Sequence, residues 1–220
     1  MLPTLRLIPA ALAYAVLVAT GCASAGQPES TTRPAPAPPT KIGIAAIKHT
    51  AADANFMRGM IHHHAQAVLM AKWAPTHGAG ADLQRLTERI VVAQQDEIAL
   101  MQTWLKEKGE PVPDPSPGPM RMTMPDGTTH DMLMPGMLSA AELKQLDAAR
   151  GVEFDRLFLT FMIRHHEGAL DMVEELFGVK GAAHDEDTFR LASDVFADQT
   201  TEIRVMKEML ATRQSPTSKE

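Results

Sequence analysis

Residues 56–70 have the sequence FMRGMIHHHAQAVLM, and residues 158–172 repeat its pattern without a gap as FLTFMIRHHEGALDM. A second pair of segments repeats in the same order, because residues 94–101 (QQDEIALM) match residues 199–206 (QTTEIRVM). Apolar residues recur in these segments at the three- and four-residue spacing of a helix face. Two copies of one helical hairpin predict an all-α fold, a four-helix bundle with approximate two-fold symmetry.

Helix start and stop signals around these repeats delimit four helices, which we expect at residues 50–74, 82–108, 139–177 and 187–212. The third begins with a capping-box pattern, since Ser139 is followed three residues later by Glu142. Gly151 lies within it and is a candidate for a kink. Residues 109–138 contain seven prolines and six methionines with little periodicity, so they predict a long loop between the hairpins.

Each repeat contains a Met-x-x-His-His unit, in which the methionine shares a helix face with both histidines. His63 and His165 fall on the apolar stripe and are expected in the core, whereas His64 and His166 fall at its edge. A buried imidazole needs partners for both ring nitrogens, so two equivalent histidine pairs indicate metal ligands. The first candidates for ligands are Met60, His63, His64, Met162, His165 and His166.

The ligand types favour a soft metal. Thioether sulfur together with imidazole selects copper, especially Cu(I), and by analogy silver, and it has little affinity for calcium or magnesium. Further candidates lie on the helices at Met70, Met101, Met172 and Met206. Methionine is also a common filler of irregular cores, so the alternative is that these residues serve in packing alone.

The loop is a candidate capture site for the same metal. Its methionines alternate in sequence, and an extended chain projects alternate side chains to one side. The candidate ligands here are Met120, Met122, Met124, His130, Met132, Met134 and Met137. The alternative is a flexible apolar loop that covers one edge of the bundle.

Glu97 and Glu202 occupy equivalent positions in the repeat, four residues before Met101 and Met206. They are candidates for acceptors that orient metal-binding histidines from the second coordination shell, the alternative being two residues on a solvated helix face. The four remaining histidines outside the loop have no repeat partner and are predicted at the surface: His49, His62, His77 and His184.

The N-terminal region indicates export. Residues 1–21 resemble a signal peptide, because their apolar stretch is shorter than the roughly 20 residues that span a bilayer. Residues 18–22 (VATGC) resemble a lipobox, so we expect Cys22 to carry a lipid that anchors the protein to the membrane, facing the periplasm or the cell exterior. Cleavage after Ala25 is the alternative. Residues 22–48 form a Pro/Ala-rich tether, residues 49–213 the bundle and residues 214–220 a frayed tail.

Composition excludes several classes of function. A net charge of -6 without any Lys/Arg cluster argues against nucleic acid as a partner. The single cysteine cannot form an internal disulfide or a thiolate metal cluster. No Glu-x-x-His motif occurs in the sequence, which argues against a di-iron enzyme.

Five segments closely resemble a bacterial family known as domain of unknown function 305, which includes CopM-like copper-binding proteins: residues 56–70, 94–105, 134–137, 151–172 and 199–210. The resemblance covers essentially residues 50–212 and implies a ferritin-like bundle, usually exported, with copper or silver binding and metal tolerance in some members. It does not imply an enzyme, and the alternating methionines at 120–124 are not part of the family pattern.

These observations predict an exported copper-binding protein that sequesters the metal or hands it on at the cell envelope, without a catalytic constellation. Two alternatives remain open at this point. One is a bundle oxidoreductase with di-iron or with haem held by a Met/His pair. The other is a metal-free envelope interaction protein whose histidines form a hydrogen-bonded core.

Overall fold

The computed structural model describes residues 49–123 and 126–214. Within them, the helices are α1 (Ala51–Lys72), α2 (Ala81–Glu107), α3 (Ala140–Ala148), α4 (Gly151–Gly178) and α5 (Glu186–Gln214), and the strands are β1 (Met120–Thr123) and β2 (Thr129–Met132). Helix α1 packs along α2, α4 packs along α5, and α1 also contacts α4. The four long helices form the four-helix bundle that the repeat predicts, which confirms the all-α fold class.

A buried polar contact joins the start of α1 to the turn between α4 and α5. Thr50 and Asp53 form a capping box at the start of α1. The second carboxylate oxygen of Asp53 accepts a hydrogen bond from the backbone N–H of Ala183 at 2.7 Å. Ala183 has a φ of 53°, a conformation that L-residues rarely adopt. The Asp53 carboxylate therefore ties the turn between α4 and α5 to the first turn of α1.

The expected third helix is in fact two helices. The capping box of Ser139 and Glu142 opens α3 as predicted, but Ala149 and Arg150 are extended and Gly151 has a φ of 57°. The backbone N–H of Gly151 donates to the carbonyl of His77 at 2.8 Å. Gly151 thus begins a new helix, because its positive φ breaks the chain direction where a kink was expected.

His77 is buried at 5% exposure, so its prediction as a surface residue is wrong. Its ring stacks on Trp73 and contacts Phe154, and its Nε2 lies 3.0 Å from the carbonyl oxygen of Asp147. The residue joins the end of α1 to the end of α3. Sequence spacing gave no indication of this contact, because its partners lie in two other segments.

The loop between the hairpins is more ordered than its composition predicts. Strands β1 and β2 pair antiparallel, with Met120 opposite Met132. Beyond the strands, the buried side chain of Gln66 donates to the carbonyls of Pro117 and Leu138 and accepts from the N–H of Leu138 at 2.6 Å. One glutamine on α1 therefore clamps both ends of the hairpin segment to the bundle.

None of the helices in the described ranges combines the length and the apolar composition that crossing a bilayer requires. The predicted signal peptide, Cys22 and the tether lie outside the described residues, as does nearly all of the predicted tail and, in the loop, Met124.

Candidate metal centre

The four repeat histidines meet where α1 crosses α4. The ring centroids of His63 and His165 are 3.8 Å apart, and each ring lies next to that of the following histidine, at 6.3 and 6.2 Å. All four side chains are 0% exposed. His64 and His166, expected at the edge of the apolar stripe, are therefore buried as fully as the other pair.

Three of the four imidazoles are oriented by an acceptor on Nε2. His64 Nε2 lies 2.7 Å from a carboxylate oxygen of Glu97, and His166 Nε2 lies 2.8 Å from Glu202. His63 Nε2 donates to the carbonyl of Pro135 at 3.0 Å. In the neutral form of each ring, such an acceptor places the proton on Nε2 and leaves the lone pair on Nδ1.

That Nδ1 atom is buried in every case. Among the described residues, Nδ1 of His63, His64, His165 and His166 has no hydrogen-bond partner, and neither has Nε2 of His165. Buried imidazole nitrogens are nearly always paired in folded proteins. In metal-binding histidines, one ring nitrogen typically binds the metal and the other donates to a carboxylate or a carbonyl. The unpartnered Nδ1 atoms and the acceptors at Nε2 match this arrangement.

The inner pair is neutral at physiological pH. Burial, with a contribution from the nearby His64 ring, lowers the pKa of His63 to about 3. Burial and the His63 ring also lower the pKa of His165 well below its ordinary value. The neutral imidazole is the form that binds a metal, so both inner rings are in the ligating state near pH 7.

Methionines lie on both sides of this polar layer. The buried apolar residues form two clusters, and each contains a repeat-equivalent trio: Met60, Met101 and Met172 in one, and Met162, Met206 and Met70 in the other. Five of the six are fully buried, and Met172 is 7% exposed. The helix candidates are thus divided equally between the two faces of the histidine layer.

The loop contributes a second methionine-rich surface. Met120, Met132, Met134 and Met172 line a cavity of about 490 Å³ beside the start of α1. Met137 is buried with the first cluster, whereas His130 is exposed on β2. The backbone of Met122 pairs with His130, but its side chain lies outside the described set.

The closing part of the loop lies directly on α4. Gly136 has a φ of 74°, and a Cβ at Gly168 would overlap the carbonyl of Pro135. Two glycines thus allow the backbone of residues 135–136 to approach α4 and bring the Pro135 carbonyl to His63. Residues 134–137 belong to the segments that resemble the family, but the sequence does not predict that the Pro135 carbonyl accepts from a histidine. Any residue has a backbone carbonyl, so the residue type gives no indication of this role.

The histidines do not by themselves form a ready site for a hard cation. In residues 49–123 and 126–214, no three His, Cys, Asp or Glu side chains converge as a metal-binding group. A metal at this layer would therefore be bound by imidazole nitrogen together with methionine sulfur, or by no more than two imidazoles. That donor set fits a soft ion.

The family model described as Domain of unknown function (DUF305) matches residues 53–210. The chain belongs to the DUF305 family. Among solved structures, a DUF305 protein of Streptomyces coelicolor, described as a predicted secreted protein, is 29% identical with a TM-score of 0.62. The match covers 77% of this chain and 98% of that one.

The DUF305 fold is also that of CopM. CopM in its Cu(I)-bound form is 26% identical with a TM-score of 0.56, over 74% of this chain and 98% of that chain. CopM has also been solved with Cu(II) and with silver. Among curated proteins, uncharacterized protein L153 of Acanthamoeba polyphaga mimivirus is 34% identical over 56 residues, and the chain spans 37% of its length.

Proposed function

We propose that this DUF305 protein is an exported copper-binding protein that holds Cu(I), and silver in its place, at the buried His/Met layer. It binds the metal for sequestration or transfer at the cell envelope and is not an enzyme. The observation that carries the proposal is the set of four buried Nδ1 atoms without partners. In three of the rings, an acceptor on the opposite nitrogen holds the imidazole as a ligand requires.

Two further observations support copper over other metals. The methionine trios flank the histidine layer on both sides, and thioether with imidazole favours Cu(I) over harder ions. The CopM structures contain copper or silver on the same fold. Export and a lipid anchor at Cys22 are proposed from the N-terminal sequence alone.

The loop methionines are proposed as a capture surface. Met132 is 46% exposed and lines the same cavity as the buried Met134 and Met172, so the cavity offers thioether sulfur to an ion that arrives from solvent. Replacing Met120 and Met132 with leucine keeps the apolar volume. In a copper titration, we expect this variant to bind fewer equivalents with weak affinity and the same number with tight affinity. An unchanged titration would leave these methionines with a packing role.

The decisive variant replaces His63, His64, His165 and His166 with alanine. Competition against a chromogenic Cu(I) chelator should show affinity lower by about a hundredfold or more, since losing an orienting group alone costs 10–100-fold. The matched control replaces His49, His62 and His184, which are exposed or half-buried and are not candidate ligands. Circular dichroism checks that both variants fold.

Full Cu(I) affinity in the core variant would refute the site. Metal analysis of wild-type protein from copper-supplemented cells separates the other functions: stoichiometric iron would favour a bundle oxidoreductase, and no metal would favour an interaction protein.

A further inference from the structure

The histidine layer is closed to solvent, so a metal needs a path to reach it. Helices α2 and α5 are separated by a cleft of about 350 Å³. Glu97 and Glu202 are among its lining residues, and these are the carboxylates that bond His64 and His166. The cleft thus reaches from the outside of the bundle to the outer edge of the histidine layer.

Two buried glutamines show that the cleft is suited to a polar occupant. Gln94 and Gln199 line it, are each 3% exposed, and occupy equivalent positions in the repeat. Among the described residues, Oε1 of Gln94 and both amide atoms of Gln199 have no hydrogen-bond partner. Buried amides without partners are costly, so these groups are placed to contact water or a passing ion.

The charges of the cleft favour a cation. Its lining contains the carboxylates of Glu97, Asp198 and Glu202 against the single guanidinium of Arg89. The pKa of Asp198 is raised, first by burial and then by the negative charges of Glu97 and Glu202. A cleft lined mainly by one sign of charge concentrates ions of the opposite sign.

The same carboxylates do not form a storage site. No three of them converge on one point in the part of the chain that the structure describes. An ion in the cleft would keep much of its hydration and bind weakly, which suits passage rather than retention. The opposite side of the layer is closed at His63 by the Pro135 carbonyl.

We propose that the cleft between α2 and α5 is the route by which a metal cation passes between solvent and the buried histidines. Gln94, Gln199 and Asp198 line this route without ligating the bound metal. The proposal rests on the proposed copper function, since it assigns a path to that same site. It makes a kinetic prediction that is separable from affinity, because a residue on a route changes loading and release by the same factor.

The test uses stopped-flow transfer of Cu(I) from a chromogenic chelator, and back to it, with the full chain. The first variant, Gln94→Leu with Gln199→Leu, replaces the polar lining with apolar groups of similar size. We expect loading and release to slow together by about threefold to tenfold, with Kd unchanged. Gln95→Leu with Gln145→Leu, on exposed positions outside the cleft, is the matched control.

The second variant, Asp198→Asn, removes one charge without changing volume. We expect slower loading at low ionic strength and no difference at high salt, where charges are screened. Glu88→Gln on the exposed side of α2 makes the same change in net charge outside the cleft and should not slow loading.

Wild-type transfer rates in both cleft variants would overturn the route and leave copper binding intact. A weaker Kd with unchanged loading would also overturn it, because the cleft would then belong to the binding site. A wild-type protein that does not take copper from the chelator would instead refute the proposed function.

Discussion

Each of the four central histidines presents a buried nitrogen without a partner, although burying a polar group unpaired costs about 1–3 kcal/mol. Glu97, Glu202 and the Pro135 carbonyl fix three of the rings in one tautomer. Without metal, the histidine layer therefore lowers the stability of the folded protein, but its rings are already oriented to bind a metal. At the residue scale, burial also lowers the pKa of His63 and of His165, which makes the stability of the metal-free protein depend on pH.

The metal-free protein should lose stability as pH falls from about 6.5 towards 3. Both inner histidines have a lowered pKa when folded, so the unfolded chain takes up protons that the folded chain does not. Above the unfolded pKa of about 6.5, neither state is protonated and this contribution is absent. Below it, unfolding becomes easier by about 1.4 kcal/mol per pH unit for each histidine.

Urea unfolding at a series of pH values measures this slope. The variant His63→Gln with His165→Gln should have a flatter profile between pH 6.5 and 5. If the unfolding free energy of that variant fell with pH as steeply as that of the wild type, other titrating groups would cause the pH dependence.

At the element scale, the sequence predicted the four long helices well because their signals are local. The apolar repeat and the glycines delimit α1, α2 and α5 and the end of α4 to within a few residues, and the Ser139 capping box opens the short α3 as predicted. It failed where a contact between distant segments decides the structure. The break at Gly151 depends on the carbonyl of His77, and the order of the loop depends on Gln66.

At the candidate site, too, the sequence predicted the features that local spacing determines and missed those that depend on distant segments. Helical spacing placed the histidines and methionines on shared faces, and the structure brings the four histidines together. The Pro135 carbonyl and the cleft at Gln94 and Gln199 were missed. The repeat does pair these two glutamines, so equivalence of buried polar residues was a signal that could have found them.

Gly168→Ala should displace the loop from α4, because the new Cβ would overlap the Pro135 carbonyl. His63 would lose its Nε2 acceptor, and we expect Cu(I) affinity lower by about tenfold with a stability loss of roughly 1–3 kcal/mol. Chelator competition and thermal unfolding measure the two effects. Gly178→Ala is the control on the same helix, since a Cβ there meets nothing within 4 Å; equal behaviour of the two variants would contradict the role of the loop.

At the scale of the whole molecule, two apolar halves meet at one polar layer, and each half carries an equivalent methionine trio. The loop breaks this symmetry, because Pro135 bonds His63 whereas Nε2 of the equivalent His165 has no partner within the described chain. Since all four long helices contribute to the layer or to its flanking methionines, metal bound there should stabilise the complete bundle.

Silver should therefore raise the Tm of the full chain. Binding at a free concentration of about one hundred times Kd stabilises the folded state by about 2.7 kcal/mol, or roughly 5–10 °C for a domain of this size. Magnesium should leave Tm unchanged, because it disfavours sulfur and imidazole. The variant lacking the four core histidines should not respond to silver, and a response equal to that of the wild type would place the ion elsewhere.

The central claim is that one buried layer supplies both imidazole nitrogen and methionine sulfur to Cu(I). X-ray absorption at the copper edge of the Cu(I)-loaded protein tests it most directly, because nitrogen and sulfur scatter differently. We predict a first shell that contains both imidazole nitrogen and sulfur, with the imidazole signal lost when His63, His64, His165 and His166 are replaced. A shell of sulfur alone, or one of oxygen without imidazole, would contradict the claim.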